Sequence, residues 1–211
     1  MSDNVSIYAA VACVLLDIYV SALYCAKLIR KEISPRLATW LIFEIGVLMS
    51  LVAYLTSHDH SLVKVALNAA DALLVTIILV LILVEQRDTT VRFTSNERLC
   101  LALAFIATAA WIWTRTGWTG VVGFQLVLTV AYFPTIESVW KWKPGRSPEP
   151  LEKWSINAVI ALIGVFTDLA GRHDYLALMY PLRALVLCVI VAALIVRWGY
   201  KNEAAARFTA R

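Results

Sequence analysis

The 211-residue chain is 61% hydrophobic and only 16% charged, with a mean hydropathy of +0.74. Soluble domains carry roughly a quarter charged and about half apolar residues, so this balance excludes a soluble helical bundle, whose helices need polar faces. The net charge of +4 comes from loop bases and points to no nucleic-acid partner.

Taken in order, seven apolar runs reach or approach the roughly twenty residues that cross a bilayer. They are Val5–Ile29, Pro35–Ser57, Leu62–Val84, Arg98–Thr114, Gly117–Lys141, Leu151–Gly171 and Tyr175–Trp198. The opening MSDNVS lacks the basic stretch of a cleaved signal peptide, so the first run is expected to stay as a helix. Cys13, Cys25, Cys100 and Cys188 fall in or at the ends of apolar runs without metal or disulfide spacing, and read as small buried hydrophobes.

Lys and Arg orient the chain. Of nineteen, fifteen fall in the first, third and fifth connections and the tail, three fall on the other side (Lys64, Arg115, Arg172), and Arg183 lies inside the seventh run. The N-terminus is therefore expected outside and the C-terminus in the cytosol. Trp111, Trp113 and Trp118 at the outer turn, and Trp140, Trp142 and Trp198 at cytosolic ends, read as interface anchors.

The stretch Tyr132 to Trp154 repeats the grammar of Tyr19 to Trp40. Tyr19 and Tyr132 lie 113 residues apart, as do Ser34-Pro35 and Ser147-Pro148, while Trp40 and Trp154 lie 114 apart. The fourth run has no counterpart. This predicts two like-oriented three-helix units, residues 1–86 and 117–200, joined by a linker helix at 98–116, with a cytosolic tail at 201–211. Pro134 removes a backbone donor within the fifth run and is expected to bend it; Ser21 occupies the equivalent place at the same offset.

Polar residues inside these runs are few and costly. A charged side chain at mid-membrane costs roughly 2.5–3.5 kcal/mol and is expected to face the bundle interior or a wet cavity. Asp17, Glu44 and Asp71 are the acids, and the pattern makes them candidates for proton coupling, because a carboxyl in low dielectric holds its proton more tightly. Asn68, Asp71, Gln125, Trp154, Asn157 and Arg183 are the candidate substrate contacts. Several of these fall on helical stripes, among them Asp17, Ser21 and Tyr24, and Trp154, Asn157, Ala161, Gly164 and Asp168. Converging stripes predict a central pocket. Arg183 needs a carboxylate, with Asp71 the first choice and Asp168 and Asp17 next. The alternative reading of every such residue is interhelical packing glue. His58-Asp59-His60 and His173-Asp174 read as polar loops, so no metal site is expected.

The combination of three, one and three helices, the Phe133-Pro134-Thr135-Ile136 segment, Lys141-Trp142-Lys143, Ser147-Pro148 and Trp154 resembles the SWEET/PQ-loop superfamily of seven-helix membrane transporters. Thr135 stands where the named dipeptide has Gln, and Ser21-Ala22 replaces the pair in the first unit. The resemblance implies parallel triple-helix bundles and alternating access. It implies substrate contacts from the third and seventh helices, where Asn68 matches and Arg183 replaces an Asn. The expected function is a secondary transporter or facilitator of a small polar solute, such as an amino acid, sugar or vitamin-like compound, with proton coupling a hypothesis. A ligand receptor of the same fold and a non-transporting subunit of a membrane complex are the alternatives. The expected partners are the lipid bilayer and a small-molecule substrate, with homo-oligomerisation left open. No cofactor is expected. The plasma (inner) membrane is the favoured location over an organelle. No nucleophile–base pair, metal triad or phosphate-binding glycine loop points to an enzyme, and the seventh run has no Lys for a retinal Schiff base.

Overall fold

The computed structural model describes residues 3–56, 62–87, 92–114, 117–143, 145–171 and 175–209. Every regular element among them is an α-helix: α1 (Asp3–Ile29), α2 (Leu37–Thr56), α3 (Leu62–Glu85), α4 (Ser95–Thr114), α5 (Gly117–Val130), α6 (Tyr132–Trp140), α7 (Leu151–Gly171) and α8 (Tyr175–Thr209). Among the described residues, four stretches are long and apolar enough to cross a membrane: Ile7–Ile29, Ser95–Thr114, Val122–Trp140 and Leu178–Tyr200. Leu37–Val52 forms a shorter apolar helix.

The helix ends follow from local chemistry. At the end of α1 the Glu32 N–H donates to the Lys27 carbonyl and the Lys31 N–H to the Leu28 carbonyl, both at 2.9 Å. This is a Schellman motif, and it requires Lys31 to adopt a left-handed φ of 59°. The start of α4 is a capping box. The Thr94 N–H donates to Glu97 Oε2 at 2.7 Å, and the Glu97 N–H donates to Thr94 Oγ1 at 3.2 Å. The fifth apolar run is interrupted at Ala131, dividing α5 from α6. Pro134 explains the position: it has no N–H for the Val130 carbonyl, and its ring collides with that group.

The chain forms two compact units, Pro35–Thr135 and Met1–Ser34 with Ile136–Arg211. This grouping cuts across the sequence division at residues 1–86 and 117–200, because α1 packs against α7. Within Pro35–Thr135, α2 packs on α3, α4 and α5, and α4 packs on α5. Its core joins Ile42 and Met49 of α2 to Cys100, Ala104 and Ala107 of α4 and to Val127 and Val130. Three small side chains at helical spacing bring α4 in close. Gly46 does the same for α5: a Cβ there would lie 2.5 Å from Leu128 Cδ2 and 3.1 Å from its Cγ.

In the other unit α7 packs along α8, and α1 lies on α7. Gly164 of α7 receives Pro181 of α8, whose Cβ would stand 3.0 Å from an added Cβ. Gly164, a member of the predicted Trp154-to-Asp168 stripe, is thus a packing contact. Trp140 and Trp198 meet edge to face with centroids 5.9 Å apart, so these expected interface anchors also join α6 to α8. Past Trp198, α8 continues helical to Thr209, through most of the predicted tail.

Two stability changes follow. Lys31→Gly relieves the left-handed strain at the end of α1 and is expected to stabilise the fold by about 1 kcal/mol. Gly46→Ile forces α2 and α5 apart and is expected to cost about 1–3 kcal/mol or more. Both are read by thermal denaturation of the purified protein.

Candidate functional site

A cluster of ionisable side chains lies where α1 meets α7. Asp17, Tyr24 and Lys27 occupy one face of α1 at i, i+7 and i+10. The facing groups come from the start of α7 and the loop before it. That loop is tied down by backbone pairing: Ile33 bridges Ser147, and the Ser34 N–H donates to the Ser147 carbonyl at 2.9 Å. The Ser147 hydroxyl then donates to the Glu149 carbonyl at 2.7 Å. Pro148 and Pro150 flank Glu149, and the second of them disfavours helical backbone at Glu149.

These constraints aim the Glu149 side chain inward, leaving it 1% exposed. The Tyr24 hydroxyl donates to Glu149 Oε2 at 3.2 Å. Oε1 is enclosed with no hydrogen-bond partner among the described residues. Burial pushes the Glu149 pKa up to about 8, against the opposing pull of the Tyr24 hydroxyl, the Trp154 indole and the Lys153 ammonium. Lys153 is itself buried, its side chain 8% exposed, with Nζ 3.5 Å from Asp17 Oδ1. Towards solvent, Lys27 Nζ donates to Glu152 Oε1 at 2.7 Å. Two cations therefore face three acids, and the cluster is neutral when Glu149 is protonated. An open cleft of about 300 Å³ lies beside it, with Glu149 in its lining.

The sequence candidates distribute unevenly over the two units. Asp17 enters the cluster, but its partner is Lys153, a residue counted from sequence among the loop bases. Trp154 is buried next to Lys153. Asn157 follows one turn on, its Oδ1 buried without a hydrogen-bond partner among the described residues. Ser21 is buried on α1 with its hydroxyl likewise unpartnered there. The Arg183 guanidinium lies over the Tyr180 ring, 5.4 Å from its centroid, a cation–π contact.

In Pro35–Thr135, Glu44 Oε1 is 2.8 Å from the Thr76 hydroxyl, which is also 2.7 Å from the Ala72 carbonyl. Asp71 and Gln125 are half-buried, and the Gln125 carbonyl accepts the Thr129 hydroxyl hydrogen at 2.7 Å. Pro134 is buried. The Thr135 and Thr39 hydroxyls bond each other at 2.9 Å. The side chains of Asn68, Asp168 and Lys64 lie outside the described residues, as do His58-Asp59-His60 and His173-Asp174. Among the described residues no group of His, Cys, Asp and Glu is arranged to hold a metal ion.

Sequence reasoning missed Glu149 and misplaced Lys153. A glutamate among loop bases reads as solvated. The available signal was its position between two prolines directly before a helix. No protein-family model matches the chain, and no curated protein or solved structure matches it either.

Stability should report the Glu149 proton. Its pKa is higher in the folded chain than the ordinary 4.5, so folding takes up a proton between the two values. The stabilisation is complete below about pH 4.5, drains as pH rises and is gone above about pH 8. Glu149→Gln keeps the neutral form at every pH. Its Tm is expected to match wild type near pH 5 and to exceed it near pH 8.5, by roughly 2–4 °C for each kcal/mol of linkage. Parallel Tm profiles for the two proteins would refute the assignment.

Proposed function

We propose that this chain is a multi-pass secondary carrier of a small polar solute, working by alternating access with proton coupling in the plasma (inner) membrane. In this reading it has seven spans, with the N-terminus outside and the C-terminus in the cytosol. Two like-oriented three-helix repeats flank a linker helix, in the manner of the SWEET/PQ-loop carriers that its motifs resemble.

The observation that carries the reading is the α1–α7 cluster. An Asp17–Lys153 pair lies between α1 and α7, Lys153 buried and Asp17 half-buried, and Glu149, which holds its proton at neutral pH, stands close by. Buried ion pairs are weak contributors to stability, and apolar replacements often serve as well. Ionisable groups within spans mark ion and substrate pathways by default. A proton taken or released at Glu149 changes the cluster charge from zero to minus one, and that change favours a different arrangement of α1 against α7. This gives a coupling ion its differential interaction with two states. Glu44, held by the Thr76 hydroxyl, is a second acid for the same role.

Purified protein in proteoliposomes, offered labelled sugars, amino acids and vitamin-like compounds, tests the reading. At least one compound is expected to accumulate only when a pH gradient is imposed. The charge-balanced pair Asp17→Asn with Lys153→Met is expected to reduce that uptake at least tenfold at equal protein level. Absence of flux for every class tested would overturn it.

A further inference from the structure

We infer that the cleft beside Glu149 is a binding site for a small organic cation, a protonated amine, which displaces the Glu149 proton when it binds. The cleft is lined by Lys27, Glu32, Ser147, Glu149, Glu152 and Ile195, among others. Its volume of about 300 Å³ stands at the small end of ligand sites, which run roughly 300–1,000 Å³.

Its charge selects the ligand. Lys27 and Glu152 cancel at 2.7 Å. Glu32, exposed at the end of α1, and Glu149 remain, so the unpaired charge on offer is negative. Glu149 Oε1 is the polar atom left over: it is buried, it belongs to a residue that lines the cleft, and it has no hydrogen-bond partner among the described residues. A buried acceptor left unmade costs about 1–3 kcal/mol, more when charged. An ammonium N–H satisfies it once the Glu149 carboxyl turns towards the cleft, and the Ser147 hydroxyl oxygen keeps a lone pair for a second. The three acids are not gathered as metal ligands are, which favours a hydrogen-bonding organic cation over a metal ion.

Every charged group around Glu149 enters the balance. Tyr24 and Lys27 come from α1, Glu32 from the turn after it, and Glu152 and Lys153 from α7. From α8 the cleft receives the apolar Ile195. With Glu149 protonated, the cluster of Asp17, Lys27, Glu149, Glu152 and Lys153 is neutral, and Glu32, exposed at the cleft, is screened by solvent and stays outside that sum. Entry of a monocation restores neutrality once the carboxyl O–H bond breaks and its proton leaves to solvent. One cation in and one proton out conserves charge. In so far as the cation is also the transported solute, the assignment rests on the carrier reading and makes it a proton exchanger.

The test is calorimetric titration of the full-length detergent-purified protein with n-butylammonium, with sodium butyrate and glucose as comparators, in two buffers of different ionisation enthalpy. Wild type is expected to bind the amine, to ignore the comparators, and to release about one proton per amine at pH 7. Its affinity should rise about tenfold per pH unit and level off above about pH 8. Glu149→Gln is expected to lose the proton release and at least tenfold in affinity. Should that variant not fold, Glu32→Lys, exposed at the cleft, is expected to weaken amine binding several-fold with the fold intact. Unchanged affinity in either folded variant, binding without proton release, preference for butyrate, or no binding of the amine overturns the site. Amine binding without flux in proteoliposomes removes the carrier reading and leaves the site; flux of another solute without amine binding does the reverse.

Discussion

The contact of α1 with α7 is governed by charge balance. Taking an ion out of water into an apolar interior costs several kcal/mol, and attraction to one counter-ion repays this only when geometry and further hydrogen bonds are good. Asp17 and Lys153 neutralise each other at 3.5 Å, and Lys27 does the same for Glu152 nearer solvent. Glu149 has no cation to itself. Its solution is to keep its proton, so that burial adds no net charge to the interface. The same face of α1 buries Val20, Tyr24 and Leu28, so the contact joins apolar packing to charge balance.

The two units show two ways to enclose an acid. Glu97, at the start of α4, is 3% exposed. It accepts a backbone N–H in its capping box, and the Arg36 guanidinium lies 3.7 Å away. Glu149, just before α7, is as well buried; the Tyr24 hydroxyl donates to its Oε2, and its Oε1 has no hydrogen-bond partner among the described residues. Both acids stand at helix N-termini, where the helix dipole favours negative charge. The difference lies in the donors. Glu97 belongs to a fixed structural cap, whereas Glu149 is left with an unmade bond, and that unmade bond is the chemical resource the cleft offers.

Helix placement was legible in the sequence almost throughout, because an apolar run bounded by Ser-Pro or by polar loops has few other ways to satisfy its backbone. The interruption at Ala131 was legible too: a proline acts on the carbonyl four residues earlier, so Pro134 bends the chain just before itself. Asp17 was legible as a costly side chain expected to face the bundle interior, but its pairing with Lys153 was not recoverable. Lys153 opens a helix after a basic loop, and local pattern cannot separate a solvated base from one folded inward. Glu149 was hidden for a related reason. Its burial depends on Ile33 meeting Ser147 across more than a hundred residues of chain, and no local periodicity carries that information. Gly164 in the α7 stripe shows a different ambiguity. Gly164 fitted a polar-pocket pattern, yet a missing side chain serves close helix approach equally well, and Pro181 fills the space.

The discontinuous make-up of the unit that holds the cluster bears on how the chain is made. Asp17 precedes Lys153 by 136 residues. At a synthesis rate of roughly 5–20 residues per second, α1 waits on the order of 7–30 seconds before its counter-ion emerges from the ribosome. During that interval the newborn helix carries a carboxyl with no lysine to meet it. The α1–α7 contact therefore forms only after most of the chain has been made.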